Sequence, residues 1–235
     1  LLLNSSAFAG SASIYPKLPY DPYKDFAPIS LIAANPLVLV VGPALDVRTV
    51  KELVARAKSQ PGKLTFASSG IGSGTHYGGE LFAQTAKIEV LHVPYKGTPE
   101  TITDTASGRI HYAVPPILAS LPLVREGRLI ALGVTSPERS ALLPDVPTVA
   151  EAGVPGYKYE GWFGFLAPAR TPAHVVAKIG REITRIAQMA DIKEKIATMG
   201  GRSWHSTPAE LETLIRTEIE TRGKVFKQAG VKPAS

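Results

Sequence analysis

The chain has 235 residues, 44% of them hydrophobic, with 26 Lys or Arg against 20 Asp or Glu and a formal net charge of +6. That is enough apolar material for the core of one or two domains, and no run of about 18 apolar residues marks a membrane span. Cysteine is absent, which excludes disulfides, thiol catalysis and cysteine-based metal sites. The basic residues are spread along segments such as Lys51–Arg56–Lys58 and Lys178–Arg181–Arg185 rather than clustered, so no nucleic-acid partner is expected.

Leu1-Leu2-Leu3 has no Met before it and is too short for a signal-peptide core, so it reads as the end of a buried strand in a protein expected to be longer at this end. Leu37–Val41 is a fully apolar run stopped by Gly42-Pro43, the pattern of a buried strand. Thr49 and Glu52 have capping-box spacing, and Val50, Leu53, Val54 and Ala57 follow at helical intervals, so a helix runs to about Gln60. Leu64–Ala67 is the next strand. A Gly/Ser-rich loop follows, then a helix over roughly Tyr77–Lys87, a strand at Glu89–Val93 and a turn at Pro94–Gly97. Thr98 caps a helix with Pro99 at its first position, and Gly108 ends it. Ile110–Val114, a short helix near Ala119–Glu126 and the strand Leu129–Thr135 complete one lobe, about 37–157.

Beyond a loop at Ser136–Pro147, Thr148–Glu151 has capping-box spacing again, and Tyr159–Leu166 reads as extended. Thr171-Pro172 opens a long helix carrying Val175, Val176, Ile179, Ile183 and Ile186. Asp191–Met199 is a further helix, and Thr207-Pro208 with Glu210 caps the last one, whose apolar face is Leu211, Leu214, Ile215 and Ile219. These helices have few strands of their own to pack on, so the Ser13–Ala34 region and the opening stub are expected to supply them. The alternation predicts an α/β fold with mostly parallel sheets. The layout is discontinuous: residues 1–36 with 158–235 form lobe 1 and 37–157 lobe 2, with a ligand cleft between them.

The strongest local feature is Phe66–His76, with Ser68, Ser69, Gly70, Gly72, Ser73, Gly74 and Thr75 between strand and helix. Glycines let backbone N–H groups converge, the helix start adds partial positive charge, and the hydroxyls add donors, which together suit an anion. The same residues also read as an ordinary glycine-rich turn. The spacing is neither a P-loop nor a dinucleotide fingerprint, and no nucleophile elbow is in register. His76 in the first helical turn reads as a polar contact rather than a catalytic base. His92, His111, His174 and His205 have no metal-type partner at i+2 to i+4, so no metal is expected. Tyr95 and Lys96 end a strand beside the loop, where ligands of such sheets bind. Asp104 reads as a helix-surface carboxylate. Trp162 and Phe163 read either as a floor to the cleft or as core.

Several stretches resemble one family, the tripartite tricarboxylate transporter substrate-binding proteins, also called Bug proteins. They are Tyr15–Pro22 with Asp25–Pro28, Ser68–His76, Val93–Gly97, Leu129–Ser136 with Arg139-Ser140, Leu143–Gly153, Trp162–Gly164 and Ala167–Pro172. The resemblance covers essentially the whole chain. It implies a two-lobed, type II periplasmic-binding-protein-like (Venus-flytrap) fold. It also implies a periplasmic, non-enzymatic protein that needs no cofactor, is monomeric, and hands a carboxylate to the membrane components of a transporter. In that family a loop from each lobe grips one carboxylate of the ligand, partly through water. The lobe 2 loop matches Ser68–His76. The lobe 1 loop belongs to an opening strand–helix–strand that this sequence is expected to lack, which leaves Asn4, Ser5, Ser6 and Ala7 to line the cleft. The family often has a polar residue where Pro115-Pro116 stands here. Proline offers no N–H, so an aromatic or aliphatic carboxylate is expected in preference to citrate. Two other readings stay open. A hydrolase or lyase acting on a carboxylated substrate would need a nucleophile–base pair, and the sensing domain of a transcription regulator would need a helix-turn-helix.

Overall fold

A computed structural model describes residues 1–15 and 17–231; Pro16, within the Tyr15–Pro22 motif, lies outside the described residues. In chain order the elements are β1 (Leu2–Ser5), α1 (Ala7–Ile14), β2 (Phe26–Pro36), β3 (Val38–Val41), α2 (Val50–Ser59), β4 (Thr65–Ser68), α3 (Gly74–Ala86), β5 (Leu91–Pro94), α4 (Thr98–Ala106), β6 (Tyr112–Ala113), α5 (Ile117–Arg125), β7 (Ile130–Val134), β8 (Glu160–Pro168), α6 (Ala173–Gln188), α7 (Ala190–Thr198), β9 (Arg202–Ser203) and α8 (Pro208–Gln228). They form two compact units: Leu1–Asn35 with the chain from Gly161 onward, and Pro36–Glu160.

The first unit holds a sheet of order β1-β8-β2-β9, with β1 antiparallel to β8 and β2 antiparallel to β9. Along β8 the pleat turns Trp162 inward and leaves Phe163 exposed. Phe8, Leu31, Trp162, Leu166, Leu211 and Ile215 form one core cluster, and Ile29, Ala167 and Ile183 another. The Thr207–Glu210 box forms as its spacing predicts: Thr207 Oγ1 accepts from the Glu210 N–H at 3.2 Å, and Glu210 Oε2 accepts from the Thr207 N–H at 2.7 Å. Leu2 and Leu3 do belong to a strand, with Leu1 just before it, but Leu1, Leu2 and Leu3 are 67%, 45% and 61% exposed. The expected burial is overturned because β1 is an edge strand.

The second unit holds a sheet of order β5-β4-β6-β3-β7. β4 runs parallel to both β5 and β6, whereas β3 runs antiparallel to β6 and β7. Both sheets are therefore open and the fold is α/β, but the expected mostly parallel pairing gives way to a mixed one. Alternating strands and helices constrain each connection only loosely, and β3 enters the sheet between two strands of opposite sense. The Thr148–Glu151 box shows a second difference. Its two hydrogen bonds form, at 2.9 Å and 3.1 Å, yet the segment is a turn rather than a helix. Backbone bonds from Val149 N to Val134 O and from Val134 N to Pro147 O hold it on β7 instead.

The core under β4 is close-packed. Val38, Val40, Ala67, Ile102, Ala113, Ile117, Leu129 and Val134 lie together within it, and Phe66 and Phe82 are fully buried nearby. A Cβ on Gly79 of α3 would overlap the Phe66 ring, so α3 approaches β4 closely only because this position has no side chain. Gly79→Ala is expected to destabilise the protein by about 1–3 kcal/mol, read as a lower urea midpoint at unchanged slope. An unchanged midpoint would contradict this packing.

Candidate functional site

The parallel trio β5-β4-β6 organises the second unit's candidate site. Register places Ser68 opposite Pro94, and Ala67 opposite both Val93 and Ala113. The three strands therefore leave the sheet at one edge, each followed by the start of a helix: α3 after β4, α4 after β5 and α5 after β6. Helix starts carry unsatisfied N–H groups and partial positive charge. Tyr95 follows β5, the loop of Ser69–Ser73 follows β4, and Pro115-Pro116 follows β6.

The loop holds itself together. Gly70 and Gly72 take φ of 124° and 82°, values that a side chain disfavours. The Ser69 N–H donates to Thr75 Oγ1 at 2.8 Å, and the hydroxyls of Ser69 and Ser73 each lie 2.9 Å from the same oxygen. Tyr95 N–H donates to Ser68 O at 2.9 Å, and the Tyr95 hydroxyl donates to Asp104 Oδ2 at 2.7 Å. Asp104, read from sequence as a surface carboxylate, thus anchors Tyr95 while also pairing with Arg109 at 3.3 Å. Burial and this carboxylate push the Tyr95 phenol above its ordinary value.

The start of α3 has four N–H groups that its own turns cannot satisfy. Ser73 N–H donates to Gly70 O at 3.2 Å, and His76 N–H to the capping Ser73 Oγ at 3.2 Å. Those of Gly74 and Thr75 find no acceptor among the described residues. Of the loop's N–H groups, these two stay without a partner among the described residues, beside the Ser69 and Ser73 hydroxyls. Ser69, Gly70, Ser73 and Gly74 are part-exposed and Lys96 is exposed, whereas Ser68 and His76 are fully buried and Thr75 nearly so. Ser68 and His76 therefore turn inward, with hydrogen bonds that run to Gly70 and Gly72 of the loop.

Beneath the loop lies a cluster that spacing in the sequence did not disclose. The His76 and His92 rings stack at 3.8 Å between centroids with 12° between planes, and Phe66 stacks on both. His76 Nδ1 accepts from the Gly72 N–H at 3.1 Å, and His76 Nε2 lies 3.5 Å from Glu80 Oε1. His92 Nε2 lies 2.6 Å from Ser68 Oγ, which also accepts from the Gly70 N–H at 3.2 Å. The one legible signal was the i, i+4 spacing of His76 and Glu80; His92 arrives only by the β4–β5 pairing.

Ligand-type atoms of His76, Glu80 and His92 lie within 4.8 Å of one another. A metal-binding lone pair lies in the plane of its imidazole, however, so two face-to-face rings do not address one ion in this arrangement. His111, by contrast, is occupied at the start of β4, where Nδ1 accepts from the Thr65 N–H at 3.0 Å.

Pro115 is buried, its carbonyl accepting from the Val38 N–H at 2.9 Å, and Pro116 caps α5 without a side-chain hydrogen bond. The remaining candidates lie in the first unit. Ser6 caps α1 and donates its N–H to Trp162 O at 2.9 Å, the Ala7 N–H donates to Ser5 Oγ at 3.3 Å, and Ala7 is exposed. Trp162 is 1% exposed within the core cluster, so the core alternative holds for it.

A family model described as "Tripartite tricarboxylate transporter family receptor" matches residues 1–231. The chain belongs to that receptor family. Among Bug-type relatives, a protein encoded in the tcbD-tcbE intergenic region of Pseudomonas sp. strain P51 is 36% identical over 96% of this chain and 68% of its own length. BugT of Bordetella pertussis is 32% identical over 99% of this chain and 72% of its own length. The solved structure of R. palustris Rpa4515 with adipate superposes with a TM-score of 0.87 at 32% identity, covering 99% of this chain and 78% of that one. MatC from Rhodopseudomonas palustris with bound malate gives 0.78 at 28% identity, covering 95% and 77%.

The receptor's His92 carries a pH dependence. Burial, and secondarily the neighbouring His76 ring, push it down to about 3. An unfolded histidine titrates near 6.5, so below that pH the unfolded chain takes up a proton that the folded one refuses. This contribution is flat above pH 6.5, and stability falls as pH drops from there towards 3, by at most about 1.4 kcal/mol per pH unit. Urea unfolding of the wild type and of His92→Gln is expected to diverge in slope between pH 6.5 and 5. Parallel pH profiles would remove His92 as the source.

Proposed function

We propose that this receptor is an extracytoplasmic, non-catalytic solute-binding protein that captures a small carboxylate and passes it to the membrane components of a tripartite transporter. The observation that carries the reading is the start of α3. There two backbone N–H groups, of Gly74 and Thr75, lie beside the Ser69 and Ser73 hydroxyls at the positive end of a 13-residue helix, which suits a carboxylate. Family membership and the adipate and malate of the solved relatives support the same ligand class. Ser5, Ser6 and Ala7 at the start of α1 offer similar chemistry in the first unit. The extracytoplasmic placement is supported by the similarity to BugD, a periplasmic binding protein; no helix among the described residues is long and apolar enough to cross a membrane.

Tyr95 and the Pro115-Pro116 turn border the loop on the adjoining strand ends. With no N–H at residue 115 or 116, the part of the site beyond the loop favours a methylene chain over additional carboxylates. An aliphatic dicarboxylate is therefore the proposed ligand, ahead of citrate. A hydrolytic reading has one local feature in its favour, the 2.6 Å Ser68–His92 pair. Ser68 is fully buried and its hydroxyl is tied to Gly70, however, so it meets no substrate.

Calorimetric titration is expected to give tight binding of adipate and binding of citrate at least about tenfold weaker; tight citrate with no adipate would overturn the ligand class. Gly74→Pro isolates the donor. Proline is favoured at a first helical position, and the extended Ser73 (φ −64°, ψ 162°) tolerates it. Losing one N–H to a carboxylate is expected to weaken adipate by about ten- to a hundredfold at an unchanged melting temperature. Undiminished affinity in this variant would remove the α3 start from the site.

A further inference from the structure

The part-exposed donors of the loop stand on a largely buried floor. That floor consists of the Phe66, His92 and His76 rings, with the Glu80 carboxylate of α3 on one side of His76 and the buried Tyr112 hydroxyl of β6 near Glu80. The Gly72 N–H joins the loop to the His76 ring, donating to Nδ1 at 3.1 Å. A donor must meet a lone pair, so this geometry assigns Nδ1 as unprotonated and leaves the ring proton on Nε2, facing Glu80 Oε1 at 3.5 Å. The opposite tautomer would set two hydrogens against each other at Gly72.

The consequence runs along the backbone. Gly72 is buried at a φ of 82°, next to Ser73, whose hydroxyl caps α3 and whose conformation sets the direction of the Gly74 and Thr75 N–H groups. The neighbouring ring secures the other end of the same loop, because His92 Nε2 meets Ser68 Oγ, which accepts from the Gly70 N–H. Two stacked imidazoles therefore hold Gly70 and Gly72, the two loop residues whose left-handed backbone is least self-supporting. His76 is buried to 0% exposure, so it acts through the loop rather than on a ligand.

We infer that His76, in its Nε2–H tautomer and backed by His92, is the positioning residue of the carboxylate loop, holding Gly72 so that the Gly74 and Thr75 N–H groups are preorganised. This inference rests on the carboxylate-binding reading for its effect on affinity, while its effect on Gly72 stands apart from any ligand.

The test uses the full chain with adipate as probe. His76→Phe keeps an aromatic ring against His92 but has no acceptor, and His76→Asn restores an acceptor near the Nδ1 position. The former is expected to weaken adipate by about three- to tenfold and to speed hydrogen exchange of the Gly72 amide. The latter is expected to recover most of the affinity and of the Gly72 protection. Imidazole nitrogen shifts are expected to report His76 protonated at Nε2 alone at pH 7.5. A His76 protonated at Nδ1 overturns the inference, as does wild-type affinity in His76→Phe or a loss in His76→Asn as large as in His76→Phe. If His76→Phe does not fold, His76→Asn and the nitrogen shifts still decide. If the wild type binds no dicarboxylate, the functional reading fails, while Gly72 exchange in the same variants continues to judge the positioning role.

Discussion

The parallel pairing of β4 with β5 on one side and β6 on the other is the constraint from which the rest of the candidate site follows. Parallel neighbours end at the same edge, and each of these three strands is followed by a helix. Three helix starts are thereby presented side by side, each with partial positive charge and unmet N–H groups. An antiparallel arrangement of the same strands would send one of those starts to the opposite edge. β3 and β7 complete the sheet without disturbing this, because β3 is inserted antiparallel at the far side of β6.

The chemistry at that edge depends on a division of hydrogen-bonding groups. Most donors of the Ser68–His76 loop are consumed in holding its own shape: Ser69 on Thr75, Gly70 on Ser68, Gly72 on His76, Ser73 on Gly70. The few left over are therefore fixed in direction before any ligand arrives, which limits the ordering that binding must supply. The floor under the loop is apolar and aromatic, with two imidazoles among phenyl rings. An acceptor for the Gly72 N–H needs a ring nitrogen with a free lone pair, which His76 Nδ1 supplies.

The same floor explains why the packing of α3 is so tight. Gly79 brings the helix against Phe66, and Phe66 in turn stacks on His76, His92 and Tyr112. Core packing and loop geometry are therefore one structure in this unit. A change of volume at Gly79 or at Phe66 reaches the loop through rings in contact, without a hinge or a flexible linker in between.

Features set by neighbours in the chain were legible in the sequence. The Thr49–Glu52 and Thr207–Glu210 boxes and the strand–loop–helix at Ser68–His76 need only residues a few positions apart; the α4 start was misplaced by one residue, since Gly97 rather than Thr98 is its cap and Pro99 stands second in the helix. The family resemblance was legible for a related reason, since its motifs are short, ordered stretches. Features that depend on distant partners were not. Thr148–Glu151 forms its box but not a helix, because β7 takes up its backbone. The sense of β3, the exposure of Leu1–Leu3 at a sheet edge, the choice between core and cleft for Trp162, and the inward turn of Ser68 and His76 were decided by tertiary pairing. So was the His76–His92 stack, whose members lie 16 positions apart in the sequence and meet only when β5 aligns beside β4. The sequence by itself determined that a glycine-rich, hydroxyl-bearing loop opens a helix. Which of its groups face outward and which hold the loop from beneath was left to the tertiary structure, because burial and the His92 contact arise where β5 lies beside β4.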